Sequence, residues 1–272
     1  MLRQSEHRVR RRQWPHRLII SVLMVAGAIV FVLPVAQTFL NGAESAERSV
    51  EYEQQIDAAP QEELLASYAE AEEYNQAMTD EALLRDPWGD DPATSSPAQM
   101  AYKRLLSGAD AMGRVLLPRV KIDLPIYHGT DKATLLRGAG HIYGTSLPVG
   151  GESTHSAIAA HTGFRAHTYF DRLPEVRQGD VFHLDVAGGR LSYEVDQILY
   201  VLPHEIDHIR VVPGADLVTL ITCWKPPENA YRLLVRGHRI PTVPVANDVT
   251  SGMNSPDSPG PIETPEPVET PV

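Results

Sequence analysis

The chain has 272 residues, 35 acidic and 24 basic side chains, and a formal net charge of −11. That length holds one or two domains with a full core, and the acidic balance argues against nucleic acid as a partner. A single cysteine, Cys223, excludes an internal disulfide.

Residues 1–17 carry six arginines against one acid, Glu6. From Leu18 to Ala36 no charge occurs, and the next ionised residue is Glu44. A basic flank followed by a bilayer's thickness of apolar residues reads as a transmembrane anchor over 18–40. The arginines hold the 1–17 segment in the cytoplasm and send the rest outward. A cleaved signal peptide fits less well, because its apolar core spans only ~7–15 residues.

Residues 41–84 are rich in Glu, Ala and Gln and predict a helical region, divided at Pro60. Pro60 and the acids Glu62 and Glu63 suit a helix N-terminus. Leu64, Tyr68, Ala71 and Met78 then fall on one packing face. Residues 85–100 hold three prolines and small polar residues and predict a loop that strands Trp88.

Residues 101–242 read as β. Strand candidates are 115–127, 156–160, 181–186, 191–201, 217–222 and 232–235. Many short strands with turn signals and little helix predict a closed or sandwiched β-domain. The tail over 243–272 is rich in proline and acids, lacks lysine and arginine, and predicts disorder.

Cys223 ends the apolar run Asp216-Leu-Val-Thr-Leu-Ile-Thr-Cys. As a free cysteine it is either a small buried hydrophobe or a nucleophile, and a nucleophile needs a base or cation nearby. Among eleven histidines His161 stands out, since it follows the short apolar strand Ser156–Ala160 and so also lies at a strand end. His183 lies mid-strand, and His204, His208 and His238 lie in charged stretches, as structural or solvated residues do.

A hairpin joining 217–223 to the strand near 231 would set Arg232 opposite Cys223, with Arg236 ~13 Å further along. Arg232 is thus the candidate to stabilise an oxyanion. A solvated surface arginine remains the alternative. No metal site is expected, for Cys-x-x-Cys and His-Glu-x-x-His are both absent. No cofactor is expected either.

Thr219-Leu-Ile-Thr-Cys223 with Arg232 resembles the TLxTC…R signature of sortases. The segments His128–His141, Gly144–His155, Ala160–Gly163, Tyr231–Gly237 and Asp86-Pro87-Trp88 are similar to the class C, pilin-polymerising branch. The resemblance covers roughly residues 60–240. It implies a mainly β fold, an eight-stranded sortase-type barrel preceded by the N-terminal helices and the membrane helix. It implies a Cys–His–Arg site of Cys223, His161 and Arg232, with Thr222 helping to hold the substrate carbonyl.

The implied reaction is transpeptidation. The thiolate attacks the Thr–Gly bond of an LPxTG-like sorting signal, and an amine, in this class a pilin lysine, resolves the acyl-enzyme. By the same analogy Asp86 pairs with Arg232 and Trp88 covers Cys223 as a lid. The expected partners are pilins or surface proteins bearing the motif, and the expected place is the outer face of a Gram-positive cell membrane. The alternatives are a housekeeping sortase that anchors proteins to peptidoglycan, and an inactive membrane-tethered β-module. The chain departs from the class at Trp224, where a small residue usually follows the cysteine, and in having a Pro/Glu-rich tail instead of a second apolar span.

Overall fold

In the computed structural model residues 18–25, 27–30, 47–78, 96–162, 169–224 and 230–242 are described. The basic segment 1–17, the rest of the 18–40 anchor, the lid residues Asp86 and Trp88, and the tail over 243–272 lie outside them. Residues 18–25 and 27–30 are helical, and Leu18, Leu23, Met24 and Val30 each expose more than half of their surface. Among the described residues no helix is long and apolar enough to cross a membrane.

Helix α1 spans residues 47–58 and α2 spans Gln61–Ala77, divided at Pro60 as expected. Proline lacks the N–H that continues a helix, yet suits the residue before its first turn. Ala71 is fully buried, while Tyr68 and Tyr74 pack against the barrel core on the same stripe. Two polar side chains fasten α2 to the barrel. Asn75 donates to the Leu147 carbonyl (3.0 Å) and accepts from the Leu147 N–H (2.7 Å). The Tyr68 hydroxyl donates to the Val149 carbonyl.

A short helix, α3 (Pro97–Tyr102), begins inside the stretch expected to be loop. Ser96 caps it by accepting from the Gln99 N–H, and Pro97 opens its first turn. Ser and Pro, read as loop residues, here act as a helix start.

Eight strands follow: β1 (Gly113–Leu117), β2 (Ile122–His128), β3 (Ala139–His141), β4 (Thr154–Ala159), β5 (Val181–Val186), β6 (Gly189–Val201), β7 (Asp216–Trp224) and β8 (Tyr231–Ile240). They close into a barrel in the order β1-β2-β3-β4-β7-β8-β6-β5. The closed eight-stranded fold is as expected. Two details differ from the expected elements. The stretch 115–127 is two strands, split by a 3-10 turn at Pro118–Val120 with Lys121 in the left-handed region (φ 53°). The three-residue β3 carries no alternation that would announce it.

Pleating sorts each strand into two faces. Inward residues such as Val115, Leu124, Ile158, Leu184, Tyr193, Leu220, Leu233 and Val235 fill the barrel. Gly237 belongs to this face because a Cβ there would stand 2.5 Å from the Phe182 ring. The outward faces of β4, β7 and β8 carry a second cluster, Ala157, Ala159, Ile221 and Leu234, covered by Ile209 from the β6–β7 connection.

Candidate active site

Strands β4 and β7 run parallel and in step, with Ala157 beside Thr219 and Ala159 beside Ile221. The ladder continues past the end of β4, since the Ala160 N–H donates to the Ile221 carbonyl (3.1 Å). One further step brings residue 161 level with residue 223. On the other side β7 and β8 are antiparallel, and Cys223 is paired directly with Arg232. His161, Cys223 and Arg232 therefore stand in one row across three adjacent chain segments. By alternation they share the outward face of Ala159, Ile221 and Leu234.

Strand geometry explains how residues so far apart in sequence meet. Neighbouring strands lie ~4.8 Å apart, so the row is compact. Parallel pairing of β4 with β7 makes both strands end at the same rim, and the return of β8 supplies the cation there. Cys223 is partly buried and forms no disulfide. Arg232 donates from one guanidinium nitrogen to the Tyr231 carbonyl at 3.3 Å. Arg236, the weaker candidate, forms a two-pronged pair with Asp196 at 3.0 and 2.9 Å.

Two bonds tie the chain at His161 and Thr162 to residues 170 and 171. The His161 carbonyl accepts from the Phe170 N–H (2.9 Å), and Thr162 donates to Asp171 (3.2 Å). The His161 ring lies 6.1 Å from that of Tyr169, centroid to centroid. Tyr169 is buried, and its hydroxyl donates to the Leu136 carbonyl at 2.6 Å.

Thr222 points the other way. It is buried on the inward face, and its hydroxyl donates to the Ala160 carbonyl at 2.8 Å. That bond ties the chain one residue before His161 to the chain one residue before Cys223. The hydroxyl is thus engaged at the β4–β7 junction and not on the outward face.

Two histidines carry structural roles that their sequence context does not announce. His155 lies between the Arg210 carbonyl (2.7 Å at Nδ1) and the Thr219 hydroxyl (2.7 Å at Nε2). It pins the β6–β7 connection onto the outer face. His141 is fully buried between the Tyr102 hydroxyl (2.9 Å) and the Ser146 carbonyl (2.8 Å). Burial pushes both imidazoles down to about 4, so both are neutral at neutral pH. No local pattern signals them, for His155 lies between Thr154 and Ser156 and His141 ends the three-residue β3. His183 bonds Ser192, and His204, His208 and His238 are exposed, as expected of structural or solvated residues. No group of residues able to hold a metal occurs among the described residues.

A thiol level with an imidazole and a guanidinium has what acyl transfer needs: a nucleophile, a proton carrier and a cation for a developing oxyanion. The comparisons with known proteins agree with that chemistry. A family profile described as the sortase domain matches residues 115–240. The chain is similar to the crystal structure of sortase C-1 from Actinomyces oris, with 45% identity, TM-score 0.64, and 66% of this chain covering 99% of that one. It is similar to a mutant of sortase C-1 from S. pneumoniae, at 36% identity and TM-score 0.67, covering 72% and 98% of the two chains. A pilus-related sortase C of Group B Streptococcus matches at 36% identity and TM-score 0.65, over 71% and 97%. Sortase A of Bacillus anthracis is 23% identical over 233 residues, 85% of this chain and 97% of its own. With that identity spread over nearly the whole length of solved class C enzymes, the chain belongs to the class C branch of the sortase family and is a cysteine transpeptidase.

Proposed function

We propose that this enzyme cleaves an LPxTG-like sorting signal between Thr and Gly and transfers the acyl group to a pilin lysine, building a covalent pilus. The observation that carries the reading is the row of His161, Cys223 and Arg232 on one face of three adjacent segments. The Cys223 thiolate attacks the threonine carbonyl, and Arg232 donates to the oxyanion that forms. His161 gives a proton to the departing glycine amine and later removes one from the incoming lysine. Thr222 acts on the substrate carbonyl through the strand end it fastens, because its hydroxyl is engaged with Ala160.

Support for a pilin acceptor comes from the sortase C structures, one of them pilus-related, at 36–45% identity. The sortase A relative, at 23%, supports the peptidoglycan-anchoring alternative less strongly. Asp86 and Trp88 are read as a lid over Arg232 and Cys223. The exposed apolar helical residues 18–25 and 27–30, preceded by six arginines, support a single-pass anchor with the N-terminus cytoplasmic and the barrel outside the cell.

Incubation of the enzyme with an LPxTG peptide and intact-mass measurement tests the reading. A thioacyl adduct on Cys223, released by a lysine-bearing pilin fragment, is the expected result. An enzyme that forms no adduct even with Asp86 and Trp88 replaced by alanine is not a sortase acting on this motif. Release by peptidoglycan amines but not by pilin lysine would favour the anchoring reaction.

A further inference from the structure

The outward face behind the catalytic row is closed. Ala157, Ala159, Ile221 and Leu234 are each less than a tenth exposed, packed with Ile206 and Ile209 of the β6–β7 connection. Among the described residues a substrate thus reaches the sulfur from beyond the strand ends and not along the strands. One step past the row, Trp224 of β7 pairs with Tyr231 of β8. Leu202, just past the end of β6, falls level with Tyr231, because Val201 pairs with Arg232. Trp224 and Tyr231 alternate away from the sulfur, toward the mouth of the barrel. There the half-exposed Tyr200 ring packs on the Trp224 indole, 5.1 Å between centroids. Tyr200, Leu202 and Tyr231 are among the few large apolar side chains of the barrel that stay at least a third exposed.

These four side chains make an apolar lip ~3.3 Å beyond the row, one residue further along the strands. The second half of the transfer has to cross it. In that step the ε-nitrogen of a lysine bonds the acyl carbon while the carbon–sulfur bond breaks. The amine proton passes to His161, and Cys223 leaves as the thiolate. The acceptor's main chain stays beyond the strand ends, and only its side chain enters. A lysine nitrogen stands about 6 Å from its own Cα, five bonds of ~1.5 Å in a zigzag, which spans the lip. Lysine lays its methylenes along apolar surface and keeps its nitrogen free of it. Two tyrosine rings, an indole and a leucine offer such a surface next to the thioester.

We propose that Trp224, Tyr200, Tyr231 and Leu202 form an acceptor lip that holds the four methylenes of the incoming lysine, and so selects it over shorter amines. Trp224 makes the central contact, since it follows the nucleophile directly. Tyr200 braces the indole and is a positioning residue. The inference rests on the pilin-lysine reading above and adds the side chains that recognise the acceptor. It also gives a purpose to Trp224, the position at which the chain departs from its class.

Full-length enzyme is acylated by an LPxTG peptide and offered three acceptor peptides that differ only in the amine-bearing residue, which is lysine, ornithine or diaminobutyrate. Acceptor kcat/KM should fall about threefold for each methylene removed. In Trp224→Ser, and separately in Tyr200→Ser at its half-exposed position, lysine should lose most of that lead, chiefly through a raised acceptor KM. The thioacyl adduct on Cys223 reports that each variant is folded, and if Trp224→Ser forms none, Tyr200→Ser decides alone. Equal rates for the three acceptors in the native enzyme overturn the lip. A length dependence that every folded variant keeps overturns it too, for it then reflects reach and not contact. A native adduct that no lysine acceptor releases overturns the pilin reading, and this one with it.

Discussion

The Thr222 hydroxyl donates to the Ala160 carbonyl at 2.8 Å, so one buried hydrogen bond locks the residue before the nucleophile to the residue before the imidazole. Thr222→Val keeps the volume and leaves that carbonyl unsatisfied, at a cost of about 1–3 kcal/mol. We expect lower thermal stability and a fall in kcat with KM little changed, because the variant loosens the row rather than a substrate contact. Thr222→Ser restores the hydroxyl and should restore kcat. A rise in KM with kcat preserved would assign the hydroxyl directly to substrate.

Arg232 stands beside Cys223, whereas Arg236 is engaged with Asp196. Arg232→Lys keeps the charge but loses the planar fork, and should lower kcat about 100-fold. Arg236→Lys, ~13 Å along the strand, should change kcat only severalfold. Steady-state kinetics on one peptide substrate compares the two.

Trp88→Ala and Asp86→Ala should each speed alkylation of Cys223 by a small thiol reagent. Unchanged labelling rates, followed by intact mass, would remove the lid from the proposed mechanism.

His141 and His155 are held neutral by burial, with folded pKa values of about 4 against an ordinary 6.5. A depressed histidine protonates more readily in the unfolded chain, so its neutral burial supports the fold fully above pH 6.5. That support is lost as pH falls from 6.5 toward 4. At pH 5 each should cost on the order of 2 kcal/mol. Thermal melts from pH 7.5 to 4.5 should show a steep acid loss, and His155→Gln should flatten it.

The hairpin that sets Arg232 opposite Cys223 was legible, because nine residues of spacing between two apolar runs leave little freedom in register. His161 was legible as a strand end, yet its place beside the thiol depends on parallel pairing of β4 with β7. Parallel partners lie far apart in sequence, and no local pattern announces them. The turn at Pro118–Val120 escaped notice because apolar residues continue on both sides of it. β3 was invisible, being three residues held by its neighbours. Ile209 and His155 were missed as the contacts that hold the β6–β7 connection over β4, since long-range packing alone brings them together.

Strand β8 leaves Arg232 at the thiol rim and ends eight residues later at Ile240, a run of ~26 Å. The polypeptide thus quits the barrel at the pole opposite its chemistry. Attachment to beads or electrodes at Thr242, the last described residue after β8, would turn the sulfur toward bulk solvent, where incoming proteins could be ligated without hindrance from the support.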